Sequence, residues 1–95
     1  MLDHAYVMAA EKNLGGAQTT AQDALTRSRN LGLLRLQLEA SLALGEFQMQ
    51  TNAGLGRKRL EQTERDAGSK GFELIARKAN SAGAGADRVR LGRLQ

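Results

Sequence analysis

Apolar and polar residues recur at helical spacing through most of this chain, and the strongest such segment is 33–50. Its apolar residues form two stripes on different sides of a predicted helix. The first stripe consists of Leu34, Leu38, Leu42 and Gly45, and the second of Leu33, Leu36, Ala40, Leu44 and Phe47. A helix that is apolar on two sides is packed on two sides. The pattern therefore predicts that segment 33–50 lies in the middle of the fold.

Shorter apolar patterns predict further helices at 1–12, 17–30, 55–69 and 72–80. The chain has no proline and 11 glycines, so we expect glycine-containing turns between helices and an all-α fold. Residues 1–80 are predicted to form one helical repeat domain. Residues 81–95 offer little apolar surface to bury, and they are predicted to be a flexible tail rich in Gly, Ala and Arg.

The chain also repeats itself weakly at an offset of 39 residues. The identical pairs at this offset are Asn13 with Asn52, Gly15 with Gly54, and Gly32 with Gly71. Small or apolar residues match at the same offset in the pairs Ala17 with Gly56, Ala21 with Leu60, Ala24 with Thr63, and Leu33 with Phe72. A fixed period of this size is typical of stacked helical hairpins, in which each unit buries its apolar face against its neighbours.

Segment 33–79 resembles a tetratricopeptide repeat. The positions that this resemblance and the 39-residue offset mark as structural are Leu44, Gly45, Gly56, Leu60, Thr63, Gly71 and Phe72. Leu44 and Gly45 stand at the family's Leu-Gly pair, and Gly56 stands at the first small position of its second helix. The chain departs from the family pattern at Ser41, Gln48 and Gly68, which replace Trp, Tyr and Pro. Its period also exceeds the family's, which is about 34 residues.

The resemblance implies a short right-handed solenoid of four to five helices in antiparallel hairpins. It also implies a non-enzymatic scaffold whose concave face binds a peptide or another protein surface. The chain is similar in particular to the divergent C-terminal repeats of multidomain bacterial proteins. Since about three repeats are usually needed for stability, we expect either a piece of a longer array or a homo-oligomer formed through exposed terminal helices.

The residues that could support catalysis or metal binding are few. The chain has no cysteine, and His4 is its only histidine, which leaves no ligand set for a tetrahedral metal site. Its serines have no histidine pattern that would activate them. The sequence therefore predicts no enzyme activity, no cofactor and no metal. Without an apolar run long enough to span a membrane or a secretory signal, a cytoplasmic location is expected.

The net charge of +4 is concentrated in the second half of the chain, because residues 1–52 carry −1 and residues 53–95 carry +5. The candidate cations for binding an anion or a partner are Arg57, Lys58, Arg59, Arg77 and Lys78. The first three follow a Gly-x-Gly at a predicted helix start, which suits either a phosphate site or a simple hairpin turn. The alternative function is therefore a basic accessory module that contacts nucleic acid or acidic partners. A solvated helix face is the simpler interpretation of the same residues.

Overall fold

Residues 2–94 fold into five helices. The computed structural model describes the backbone of residues 2–94 and the side chains of residues 2 and 4–83. The helices are α1 (Leu2–Ala10), α2 (Leu14–Leu31), α3 (Leu34–Thr51), α4 (Ala53–Ser69) and α5 (Glu73–Leu94). The backbone of this part of the chain contains no strand, so the all-α prediction is confirmed.

The helices pack in two layers. Each helix packs against the next one along the chain, and α3 also contacts both α1 and α5. Within the described residues the backbones of α2 and α4 do not come within 8 Å of each other. The odd-numbered helices therefore form one contiguous layer, while α2 and α4 lie behind it as separate supports.

The core consists of two clusters, one on each side of α3. The cluster shared with α1 and α2 contains Ala5, Ala17, Ala21, Leu25, Ala40, Ala43, Leu44 and Phe47. The cluster shared with α4 and α5 contains Leu38, Leu42, Leu60, Ala67, Ile75 and Ala79. The prediction that this helix packs on both sides is confirmed, but two members of its second stripe are not in the core. Leu33 and Leu36 remain 43% and 45% exposed.

Asparagine side chains cap the N-termini of both even-numbered helices. The Asn13 Oδ1 accepts a hydrogen bond from the Gly16 N–H at 3.1 Å, and the Asn52 Oδ1 accepts one from the Leu55 N–H at 3.2 Å. Such caps satisfy an N–H group that has no partner within the helix. Because the caps draw the neighbouring glycines into the first turn, α2 and α4 begin earlier than the predicted residues 17 and 55.

Glycines end the same two helices. Gly32 and Gly71 adopt φ angles of +67° and +84°, in the left-handed region that glycine enters without steric cost. In each turn the N–H of the residue after the glycine donates a hydrogen bond to a carbonyl group of the preceding helix. The Leu33 N–H donates to the Ser28 carbonyl at 2.9 Å, and the Phe72 N–H donates to the Ala67 carbonyl at 2.8 Å. The next helices then begin at residues 34 and 73. The 39-residue offset therefore relates caps, helix ends and helix starts alike.

The backbones of helices α3 and α4 approach each other so closely that there is no room for a side chain at Gly56. A Cβ on Gly56 would lie 2.6 Å from the Met49 nitrogen and 2.9 Å from the Gly45 carbonyl oxygen. A Cβ on Gly45 would lie 2.7 Å from Cδ2 of Leu60, which is only 1% exposed. The same interface holds a hydrogen bond of 2.7 Å between two hydroxyl groups, those of Ser41 and Thr63. Since the Thr63 hydroxyl donates to the Arg59 carbonyl, Ser41 is the donor to Thr63.

Two helix boundaries differ clearly from the prediction. Helix α1 ends at Ala10 rather than residue 12, because Lys12 adopts a left-handed φ of +65°. Helix α5 continues beyond residue 80, where Ala82 packs against the second cluster. The predicted flexibility of residues 81–95 stays a prediction, since the side chains from residue 84 onward lie outside the described part.

We predict that Gly56→Ala lowers the free energy of unfolding by about 3 kcal/mol, because the new methyl group overlaps backbone atoms that cannot rotate away. Gly54→Ala is the matched control in the same helical turn, since its Cβ would lie in ordinary van der Waals contact, 3.7 Å from the Asn52 Oδ1. Urea unfolding followed by circular dichroism measures both variants. Equal stability of the two would show that the helices do not approach as closely as described.

We also predict that Gly71→Ala lowers the free energy of unfolding by about 1 kcal/mol, because alanine is strained at a φ of +84° even though no neighbour lies within 4 Å. Gly68→Ala has equally open surroundings but lies within α4, where alanine favours the helix. Thermal unfolding should therefore move in opposite directions for the two variants. A stabilising Gly71→Ala would contradict the assigned helix end.

Candidate functional site

A groove with a volume of about 630 Å³ runs along the layer formed by α1, α3 and α5. Its apolar part is supplied by Leu42 of α3 and by Phe72, Leu74 and Ile75 at the start of α5. Leu42 and Ile75 are anchored in the second core cluster, whereas Leu74 is 64% exposed. The groove therefore has a rigid apolar base and one large apolar side chain that is open to a ligand.

The groove is edged by charges of both signs. Arg35 and Glu39 form an ion pair of 3.1 Å one turn apart on α3, and Lys78 lies on the α5 side. In the 39-residue register Arg35 corresponds to Leu74, and Glu39 corresponds to Lys78. The backbone positions that line the groove thus repeat, while their side-chain chemistry does not.

Tyr6 connects α1 to α3 at the groove. Its hydroxyl donates a hydrogen bond of 3.0 Å to the Glu46 Oε1. Its ring meets Phe47 edge to face, with centroids 5.2 Å apart and an interplanar angle of 68°. Aromatic pairs favour this geometry because the positive ring edge faces the negative ring face. One polar and one aromatic contact therefore hold the short first helix in place.

The electrostatics of this contact follow from its partial burial. Burial raises the pKa of Glu46, while the hydrogen bond from Tyr6 and the charge of Lys78 act in the opposite direction. Burial raises the pKa of Tyr6 as well, and the neighbouring Glu46 carboxylate adds to that effect. Tyr6 therefore stays a neutral hydrogen-bond donor. Glu46 of α3 interacts both with this hydroxyl on α1 and with the charge of Lys78 on α5.

The predicted cations occupy different surroundings. The Arg59 Nε donates to the Gln48 Oε1 at 3.1 Å, and burial beside Arg29 lowers the pKa of its guanidinium. Arg57 instead lines a small cleft between α4 and α5, and Lys58 is exposed. The other two cations belong to α5, with Arg77 lying 3.9 Å from the Glu73 carboxylate and Lys78 at the groove. The structure thus distributes the five residues over several faces.

The described residues contain no cluster suited to metal binding. His4 is exposed, and no three side chains of the His, Cys, Asp and Glu types come together there to hold a metal ion. The lining of the main groove has no serine, threonine, histidine or cysteine among its described members. None of the helices in this part of the chain has the length and apolar character needed to cross a membrane.

Sequence reasoning did not single out Tyr6, Glu46 or Leu74 as site residues. Tyr6 is one of three aromatic residues, which is a usable signal, but the sequence does not indicate that its partner lies 40 positions away. Leu74 shares a helix face with Lys78, because residues four apart lie one turn above each other. That spacing, repeated at Arg35 and Glu39, is the signal that could have located the groove.

Comparison of the chain with protein-family models, curated proteins and solved structures found no match. The structural features that bear on its function are the two-layer packing, the groove on the odd-numbered helices, and the charges of both signs at the edge of that groove.

We predict that wild-type stability falls relative to that of Glu46→Gln as the pH rises from about 4 to about 7. A raised folded-state pKa means that folding disfavours the ionised carboxylate. The contribution of Glu46 is therefore greatest below its ordinary pKa of 4.5 and is lost as the pH passes through the raised value. Glutamine keeps an acceptor for the Tyr6 hydroxyl. Melting temperatures across this range measure the effect, with Glu61→Gln as an exposed control, and the opposite slope would contradict it.

Proposed function

We propose that this protein is a non-enzymatic interaction module, a short tetratricopeptide-like solenoid whose groove binds a peptide segment of a partner protein. The observation that carries the proposal is the layer formed by α1, α3 and α5, which lines one continuous groove while α2 and α4 stay behind it. Stacked helical hairpins present their inner helices to ligands in this way.

The repeated helix boundaries support the solenoid part of the proposal. Both even-numbered helices start at an asparagine cap and end at a left-handed glycine, 39 residues apart. Units that begin and end alike place their inner helices side by side. The right-handed sense of the array and its relation to the tetratricopeptide family belong to the same proposal.

The composition of the groove favours a peptide over a reactive small molecule. Nucleophilic catalysis requires a hydroxyl, thiol or amine with an adjacent base. Lys78 is the one amine in the described lining, and it is exposed, with Glu46 as its charged neighbour. An apolar base edged by both charge signs instead suits a segment that has one large apolar residue between polar ones.

The same composition argues against nucleic acid as the ligand of this groove. Its cations Arg35 and Lys78 are accompanied by Glu39 and Glu73. Binding to a phosphate backbone requires several cations on one face, because affinity comes from neutralising phosphates. With two cations and two carboxylates, the edge of the groove has no net positive charge that would attract phosphates.

We predict that Leu74→Asp weakens peptide binding by roughly tenfold or more, because it places a charge where a large apolar side chain is bound. The probe is a displayed library of random dodecapeptides, from which ligands are selected on the wild-type protein. Fluorescence anisotropy then measures the affinity of the selected peptides for each variant. Because Leu74 is 64% exposed, the substitution leaves the core intact.

Leu55→Asp is the matched control, since Leu55 is 48% exposed on α4 and does not line the groove. Peptides that bind wild type and Leu55→Asp equally but lose affinity for Leu74→Asp support the proposal. A selection that yields no specific peptide, or peptides equally weakened by both substitutions, rejects the groove as the binding surface.

A further inference from the structure

Two arginines face each other across α3 on the side of the molecule where α2 and α4 lie. Arg29 belongs to the last turn of α2, and Arg59 lies in the first half of α4. The described backbones of these two helices stay more than 8 Å apart, whereas each packs against α3. The residues that α3 exposes between them therefore form the floor of a space that has one arginine on each side.

Arg59 is held in this space by its contacts with α3. Its Nε donates a hydrogen bond of 3.1 Å to the Gln48 Oε1, and its Cγ lies 3.6 Å from where a Cβ on Gly45 would stand. Gln48 is only 9% exposed, so its amide is a fixed support. This contact uses one N–H of the guanidinium and leaves those of both Nη atoms without an acceptor in the described part of the chain.

The face of α2 that carries Arg29 turns toward α4. Gln18 lies on this face, and its Nε2 donates to the Thr51 Oγ1 at 3.0 Å, where α3 ends just before α4. Arg29 follows Gln18 by 11 residues, which is about three helical turns, so both side chains leave α2 in nearly the same direction. The charges of the two arginines interact, because burial lowers the pKa of Arg59 and the neighbouring Arg29 lowers it further.

No carboxylate of the described residues lies within ion-pair distance of either arginine. Asp23, the one acidic residue of α2, pairs with Arg27 at 3.1 Å. In α4, Glu64 and Asp66 accept hydrogen bonds from other side chains. The repulsion between the two guanidinium groups and the partial burial of one of them are therefore not offset by an acid of this part of the chain.

We propose that Arg29 and Arg59 bind a phosphate-type oxyanion between α2 and α4, with Gln48 as the residue that positions Arg59. An anion at this place offsets both the repulsion and the burial cost. A tetrahedral oxyanion has enough oxygens to accept hydrogen bonds from two guanidinium forks at once, which is the geometry that arginine favours for phosphate. The site lies away from the groove and does not depend on the peptide proposed there.

The first test compares thermal unfolding in inorganic phosphate with unfolding in sodium chloride of equal ionic strength. We expect phosphate to raise the melting temperature of wild type by about 5 °C more than that of Arg29→Gln, because a ligand of the folded state stabilises it. Phosphate also stabilises proteins through exclusion from their surface, and this general effect is common to both proteins.

Arg27→Gln is the matched control, since Arg27 is also an exposed arginine of α2 but pairs with Asp23. It should keep the full phosphate gain. An equal gain in wild type and Arg29→Gln, or an equal loss in Arg27→Gln, would overturn the proposal.

The second test measures binding directly, at a temperature where each variant is folded. Inorganic phosphate is titrated while NMR follows the amide signals. We expect saturable shifts around Arg29, Gln48 and Arg59, and roughly tenfold weaker binding in Arg59→Lys, which keeps the charge but loses the planar fork. Lys58→Gln removes a neighbouring exposed charge and should bind like wild type. Shifts that do not saturate, shifts confined to the groove, or equal weakening in Lys58→Gln would contradict the site.

Titration with O-phosphoserine distinguishes the two sources of this chemistry. Binding as strong as that of inorganic phosphate supports a phosphoryl group carried by a partner, and binding of inorganic phosphate alone supports the free anion. Acetate is the control for charge, because it offers a single pair of oxygens. Acetate binding as strongly as phosphate would show that the arginines do not select a phosphate-type ligand.

Discussion

The backbone contact between α3 and α4 is the constraint on which the rest of the structure depends. Gly56 has no room for a Cβ beside Met49 and the Gly45 carbonyl, so the two helices approach as closely as backbones allow. That approach sets the position of Leu60 and lets α3 face α5 with Leu38 and Leu42. Since the other side of α3 forms the first cluster, the same helix supports both halves of the molecule.

The groove follows from this arrangement because α1, α3 and α5 line it together, with Leu42 of α3 and Ile75 of α5 at its base. The backbone repeats at 39 residues, but the side chains that face the groove do not. Arg35 is succeeded by Leu74, and Glu39 by Lys78, so each repeat contributes different chemistry from an equivalent position. In a stacked array this separation lets the repeated residues maintain the fold while the varied ones define the ligand.

Local signals accounted for much of the fold. An asparagine followed by a helical pattern, or a glycine after one, acts through neighbouring backbone groups, so Asn52 and Gly71 were recognisable from their own surroundings. The site was less predictable because its contacts are distant in the chain. Tyr6 meets Glu46 across 40 residues, and Arg59 turns toward Gln48 instead of joining its basic neighbours. Adjacent helical residues point about 100° apart, which is why a run of cations does not make a basic face.

The sequence by itself determined the all-α class, the approximate positions of the helices, the glycine-containing turns between them, and the two-sided packing of α3. These features arise from periodicity and from hydrogen bonds within a few residues. Only the tertiary structure decided which apolar residues were covered. Leu36 and Ile75 occupy equivalent places, yet one is 45% exposed and the other 8%, because only Ile75 lies under the first turns of α3. Burial depends on the neighbouring helix, and that neighbour is not encoded in the local pattern.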